Sequence, residues 1–186
     1  MVVSAALLIR ERGAHATAIS DVLEHSGAPR GSAYHYFPGG RSQLLCEAMD
    51  FAGDHVAAML TAAQSSTELL DTMISVYRKQ LQDTDFRAGC PVAAVSVEAG
   101  EATESDRMRP VVERASAVFD RWIDLTAQRF ISDGVAPARA QELAVLATSA
   151  IEGAILLARV RRDMQPLDVV HRQLSSMLQA ELLKGS

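Results

Sequence analysis

Cysteine is scarce in this chain. The two present, Cys46 and Cys90, sit in no CxxC pattern and have no histidine at ligand spacing. Neither a disulfide framework nor a zinc site is expected, and a reducing cytoplasm suits such a protein. Proline and glycine are few, at 6 and 11 residues of 186, too few for a disordered or fibrous chain. No excess of positive charge exists either. The formal net charge is −5, and within the first fifty residues Arg10, Arg12, Arg30 and Arg41 face Glu11, Asp21, Glu24, Glu47 and Asp50. Any affinity for nucleic acid must therefore come from arrangement, since no basic patch advertises it. Long apolar runs are missing too. The best stretch, Leu143 to Ala158, is interrupted by Glu152 and falls short of the roughly 18 residues a bilayer span needs, so no membrane partner is expected. Met1 to Ile9 is apolar, but it lacks a basic leader, and Arg10-Glu11-Arg12 stands where a cleavage site would be. It reads as a truncated first helix.

What is present favours helix. Apolar residues make up 48% and charged residues 22%, as in a soluble globular protein, and Ala and Leu are abundant. Three short helices are expected in the first forty residues: Val2 to Arg12 stopped by Gly13, Ile19 to His25 ended by Gly27, and Arg30 to Phe37 opened by Pro29. Pro38-Gly39-Gly40 breaks the chain. Short helices joined by tight glycine turns make a helix-turn-helix unit. Longer helices follow, at Arg41 to Ala63 and at Glu68 to Gln82 with Thr67 as cap. The run from Cys90 to Ala99 carries β-branched residues, yet no other segment offers it a partner strand, so helix is preferred. The next helix is capped by Ser105 and ends near Ser132. Pro137 to Arg162 follows, apolar nearly all round. Pro166 then breaks the chain before Leu167 to Leu183.

The segment Thr17-Ala18-Ile19-Ser20-Asp21-Val22-Leu23-Glu24-His25-Ser26-Gly27-Ala28-Pro29-Arg30-Gly31-Ser32-Ala33-Tyr34-His35-Tyr36-Phe37, with Arg41 and the pair Leu44-Leu45, resembles the DNA-binding signature of the TetR family of bacterial transcriptional regulators. The match covers about residues 1 to 50. Gly89-Cys90-Pro91-Val92-Ala93-Ala94 and the Phe37-Pro38-Gly39-Gly40 turn are similar to a subgroup named for LmrA and YxaF. The resemblance implies an all-α chain in two parts. Residues 1–45 would form a three-helix helix-turn-helix domain, and residues 46–186 an α-helical ligand-binding and dimerisation domain. It implies a repressor that binds double-stranded operator DNA as a homodimer and answers a small-molecule effector. Ala18 departs from the family's usual Ser or Thr cap, which leaves Thr17 to cap the second helix. Arg41 replaces a commoner Lys, and the basic N-terminal arm common in the family is lacking.

The residues suit that role physically. A helix-turn-helix lays its second helix in the major groove. Arg30 opens that helix and reaches a guanine edge or a phosphate. Gly31, Ser32 and Ala33 are small enough for a close approach. Tyr34, His35 and Tyr36 supply hydroxyl and ring donors. Arg41 starts the fourth helix, where a phosphate contact is expected, and Thr17 completes the DNA-binding set. Phe37 reads as core.

Further along, Met59, Met73, Tyr77, Phe86, Phe119 and Trp122 form the candidate lining of an effector cavity, although such a stripe also serves as plain core. Glu98 and Glu152 sit in apolar surroundings, either to pair with a cationic effector or to play a structural part. Cys90 reads as an inert thiol or a redox sensor. Ala147, Ala150, Ala154, Leu157, Leu174 and Leu178 are the candidate dimer interface, two copies of the last helix pair making a four-helix bundle. No nucleophile–base set, metal cluster or phosphate loop occurs, so no catalytic residue, metal or cofactor is expected. A helical enzyme or carrier sharing the fold, and a regulator controlled by a protein partner, stand as the alternatives.

Overall fold

The computed structural model describes residues 1–98 and 108–184. Regular structure among the described residues is helical: α1 (Val2–Arg12), α2 (Ile19–Ser26), α3 (Ser32–Tyr36), α4 (Gly40–Ala62), α5 (Ser66–Asp83), α6 (Pro91–Val97), α7 (Arg109–Ser132), α8 (Pro137–Arg161) and α9 (Gln165–Leu182). The β-branched run after Cys90 is therefore helical, with Cys90 as N-cap and proline in the first turn. Three local expectations change. Ser65, not Thr67, caps α5, its hydroxyl accepting from Glu68 N at 3.1 Å. Pro166 lies in the first turn of α9, where no amide partner is lost, and so opens the helix rather than breaking the chain. Thr17 does not cap α2; the amide of Ala18 is satisfied by the Asp21 carboxylate at 3.1 Å. Ser105, the expected cap of α7, lies outside the described residues.

Met1–Asp54 and Cys90–Val118 form one compact unit, and His55–Gly89 with Phe119–Ser186 form a second. A boundary near residue 45 differs from this division. Helix α4 runs through that position without a break, and α6 packs against α1, which brings a segment distant in sequence into the first unit. Ile9, Val22, Leu44, Leu45, Val92 and Val95 are fully buried there. Each such side chain contributes about 1.5–3 kcal/mol of burial.

In the second unit α9 packs on α8 and on α5. Helix α8 is long and apolar enough, at mean hydropathy 1.8, to cross a membrane by composition alone. Here one face of it is core. Leu143, Ala147, Ile151, Ala154 and Ala158 are buried, while Val145, Leu146, Leu156, Leu157 and Val160 are exposed. This corrects the expected dimer interface. Ala147, Leu174 and Leu178 line one small internal void together with Leu70 of α5 and Phe130 of α7, and Ala154 is likewise buried. Those four residues belong to the protomer's own core. The small side chain of Ala147 leaves room on α8 for Leu174 and Leu178 of α9. Ala150 is half-buried, and Leu157 is the member of the set that faces outward.

Candidate nucleic-acid interface and ligand cavity

The recognition segment is short and firmly placed. Gly27 adopts φ 66° and closes α2, a conformation glycine takes without steric penalty. The Ser32 hydroxyl donates to Pro29 O at 2.5 Å, which tightens the entry to α3. Ala33 and Phe37 are buried; one turn apart, they dock this helix on the core. The opposite side is left to solvent. Tyr34 is 77% exposed and Tyr36 64%, a costly display of apolar ring area in the absence of a partner. His35 and Tyr36 meet edge to face at 5.1 Å. Arg30 and Gly31 are exposed at the tip, and a shallow concavity runs past Ser20, Glu24, Gly27, Arg30 and Tyr34. Of the DNA-binding candidates, Arg30, Gly31, Tyr34, His35 and Tyr36 are exposed in or just before α3, and Arg30 and Tyr34 share the concavity. Ser32 is half-buried beside them.

Thr17 and Arg41 are not on that face. Thr17 is buried, and its hydroxyl donates back to Gly13 O at 2.7 Å. The Arg41 guanidinium is spent inside the unit. Its Nε donates to Thr17 O at 2.9 Å, one Nη donates to Ala14 O, and the other approaches Met108 Sδ at 3.4 Å. Burial pulls the Arg41 pKa below its ordinary value, and the charge of Glu98 opposes that shift. The phosphate contact expected of Arg41 is therefore corrected to an internal one.

Glu98 completes the arrangement from the other side. Its carboxylate accepts from the amides of Ala14 and His15, each at 3.0 Å, and lies 3.5 Å from His15 Nδ1. The turn between α1 and α2 is thus gripped twice, its carbonyls by a guanidinium from α4 and its amides by a carboxylate just beyond α6. Gly13 makes room for this at φ 89°, since a Cβ there would lie 2.1 Å from Glu98 Oε1. A structural role for Glu98 thereby replaces that of an effector ligand. Asp21 adds a bridge to Arg12 at 2.7 Å. With Arg12 paired, Arg10 half-buried and Arg41 turned inward, Arg30 is the arginine of the first fifty residues that stands at the outward tip. Sequence reasoning missed the grip because its members lie 84 and 27 positions apart.

The second unit encloses a cavity of about 30 Å3. Met73, Tyr77 and Trp122 line it, joined by Thr126, Thr148 and Glu152. Phe119 stacks edge to face on Trp122 at 5.5 Å, one layer back. Met59 and Phe86 do not line this cavity. Phe86 lies 5.6 Å under the Arg162 guanidinium, which also bridges to Asp85 at 2.5 Å and so holds that carboxyl below its usual range. Arg159 donates to Arg87 O at 2.6 Å. Two arginines at the end of α8 thus strap the loop that leads to α6.

Comparison with known proteins agrees with this geometry. Residues 2–48 match the model of bacterial regulatory proteins of the tetR family, and residues 66–173 match the LmrA/YxaF-like C-terminal domain of transcriptional regulators. The chain belongs to the TetR family. An HTH-type transcriptional regulator of Mycobacterium tuberculosis is 75% identical over 186 residues, covering 100% of this chain and 96% of the relative. The YxaF regulator of Bacillus subtilis is 30% identical over 175 residues, covering 92% and 89%. A TetR transcriptional regulator from Legionella pneumophila shares the fold at TM-score 0.81 and 19% identity, over 95% and 94% of the two chains. This TetR-family protein is accordingly a DNA-binding transcriptional regulator of all-helical fold, and its helix-turn-helix is α2, the glycine turn and α3.

Proposed function

We propose that this regulator is a cytoplasmic repressor that binds a palindromic operator as a homodimer and leaves it when a small apolar or aromatic effector binds. The observation that carries the reading is the outward face of α3. Arg30 just ahead of the helix, and Tyr34 and Tyr36 on it, are exposed, while Ala33 and Phe37 are buried and anchor it. Selection of bound DNA from a random pool supplies the operator. On it, Arg30→Ala is expected to cost about 1–3 kcal/mol per half-site if the guanidinium reads a guanine, with relaxed preference at one base position. Tyr34→Ala should weaken binding without altering the fold, since the ring stands mostly in solvent. Titrations of both variants that match the unaltered protein would remove α3 as the reading helix.

The N-terminal helices serve as the DNA-binding part and the remainder as the effector and dimer part. Dimerisation uses the exposed apolar side of α8, with Leu146, Leu157 and Val160, because two copies related by a two-fold axis read two half-sites. The effector occupies the cavity at Met73, Tyr77 and Trp122. A drug-sized ligand needs roughly 300–1,000 Å3, so the cavity must open, and methionine beside it is the side chain best suited to yield. Ile151 and Arg159 share α8, which links the cavity wall to the strapped loop before α6. Occupation then shifts the population towards a form in which the two heads no longer fit successive grooves. Trp122 is the single tryptophan, so an apolar effector should change the emission on binding. An effector that releases DNA yet leaves both that emission and its affinity for Trp122→Phe unchanged would place the site elsewhere.

A further inference from the structure

We propose that the effector of this cavity is a straight-chain aliphatic alcohol, its hydroxyl held by Thr126 and Thr148 and its chain run between Leu70 and Ala147 into the neighbouring void. The proposal rests on the cavity reading above and names the chemistry of the occupant. A serine or threonine inside a helix commonly returns its hydroxyl to the backbone four residues earlier. Thr61, Ser96 and Ser132 do so, donating to Ala57 O at 2.8 Å, Val92 O at 3.0 Å and Gln128 O at 2.8 Å. Thr126 and Thr148 line the cavity from α7 and α8, and among the described residues neither hydroxyl makes a hydrogen bond. Thr126 is only 4% exposed. A buried hydroxyl without a partner is costly. An alcohol oxygen, which both donates and accepts, can satisfy the two threonines together.

The second void supplies the rest of the shape. Leu70 and Ala147 line both spaces, so a leucine of α5 and one alanine methyl of α8 form their shared wall. Beyond that wall the lining is hydrocarbon, with Phe130, Leu143, Leu174 and Leu178. The order along the helices agrees. Thr126 lines the cavity and Phe130, one turn later on α7, lines the void; Ile151 lines the cavity and Leu143, two turns earlier on α8, lines the void. Each turn advances about 5 Å. The hydroxyls therefore stand on one side of the shared wall and hydrocarbon alone on the other. The two spaces are small, about 30 and 10 Å3, and a chain of methylenes is the apolar body that enters them with least displacement of their walls.

The test uses the full chain with butanol, hexanol and octanol, each bearing a terminal hydroxyl. Binding is read from Trp122 emission and from release of the selected operator. Affinity is expected to rise about three-fold per added methylene, and octanol should release DNA. Thr126→Val keeps the shape and removes the hydroxyl. It should weaken every alcohol about five-fold, keep the dependence on chain length, and leave the melting temperature of the ligand-free protein equal or higher. Ala147→Phe fills the passage and should hold octanol to the affinity of butanol, with butanol unchanged. Should that variant fail to fold, Leu178→Phe fills the void from its far side with the same expectation. Equal affinities from butanol to octanol in the unaltered protein overturn the proposal, as does a chain-length dependence that survives the filling variant. A Thr126→Val protein that melts earlier, or binds the alcohols as before, overturns the assignment of the hydroxyl. If no alcohol binds but another apolar effector moves the Trp122 emission, the alcohol falls and the cavity stands. If no effector moves that emission, both fall, while the DNA titrations of α3 remain a separate matter.

Discussion

Glu98→Ala is expected to unsettle the DNA-binding unit more than the loss of any outward-facing side chain. The substitution removes two hydrogen bonds from a charged acceptor to the amides of Ala14 and His15. Bonds of that kind are worth about 1.5–3 kcal/mol each, and an amide left buried without a partner adds to the loss. Because the His15 side is exposed to water, a total of about 2–4 kcal/mol is the reasonable expectation. In a protein of this size that corresponds to a fall in melting temperature of about 5–15 °C. DNA affinity should fall with it, since α2 begins four residues after the gripped turn. Gly13→Ala should act in the same direction, because its Cβ would meet Glu98 Oε1 at a backbone angle few side chains adopt. The double variant should lose less than the sum of the two, because removing the carboxylate also removes the clash. Circular dichroism melts and operator titrations decide it. A Glu98→Ala protein with an unaltered melting temperature and unaltered DNA affinity would show that the turn holds itself.

Arg41 supplies an internal control on that account. Lysine keeps the charge and would serve a phosphate, but it lacks the planar fork that reaches two carbonyls at once. Arg41→Lys should therefore behave like Arg41→Ala in thermal melts. The salt dependence of DNA binding should keep its slope in Arg41→Ala, whereas a guanidinium that had been neutralising a phosphate would, on removal, flatten it by about one charge per subunit.

The second large effect separates two residues three positions apart on α8. Ala154 is 2% exposed and Leu157 is 56% exposed. Arginine at position 154 must enter a close-packed core with no partner for its charge, a loss of about 3–5 kcal/mol or more. The expected product is a protein that melts early or fails to fold, not a well-folded monomer. Arginine at position 157 faces outward and should leave the melt of the protomer intact. If the outer side of α8 is where two copies meet, Leu157→Arg places like charges against each other across the two-fold axis, and light scattering should report monomers. Operator affinity should then drop sharply, since each head reads only its half-site. Leu157→Arg protein that still scatters as a full dimer would move the interface off this face, and a stable, well-folded Ala154→Arg dimer would contradict the burial of α8.

Much of this was legible in the residue order. Gly13, Gly27, Pro91 and Pro137 mark helix ends because backbone freedom at glycine and the fixed ring of proline act within a turn of the chain, whereas the helix expected to open at Pro29 begins only at Ser32. The pattern from Thr17 to Phe37 resembled a helix-turn-helix signature and Phe37 read as core, whereas the burial of Ala33, expected to approach the groove, came only with the fold. Periodicity failed where two faces of one helix were equally apolar. On α8 it could not tell that Ala147 and Ala154 turn inward while Leu146 and Leu157 turn out, because only the packing of α5 and α9 breaks that tie. It also failed for charge. Arg41 looked like a phosphate ligand, and Glu98 was open between pairing with a cation and a structural part, until the fold brought both to one turn. The residue order by itself marked most of the helix ends, which depend on short-range backbone chemistry, and carried the likeness to the family. Only the tertiary structure decided which charges are spent inside, which apolar face is left for a partner, and which few of the candidate aromatic residues share a cavity, because those outcomes depend on contacts between segments up to 84 positions apart.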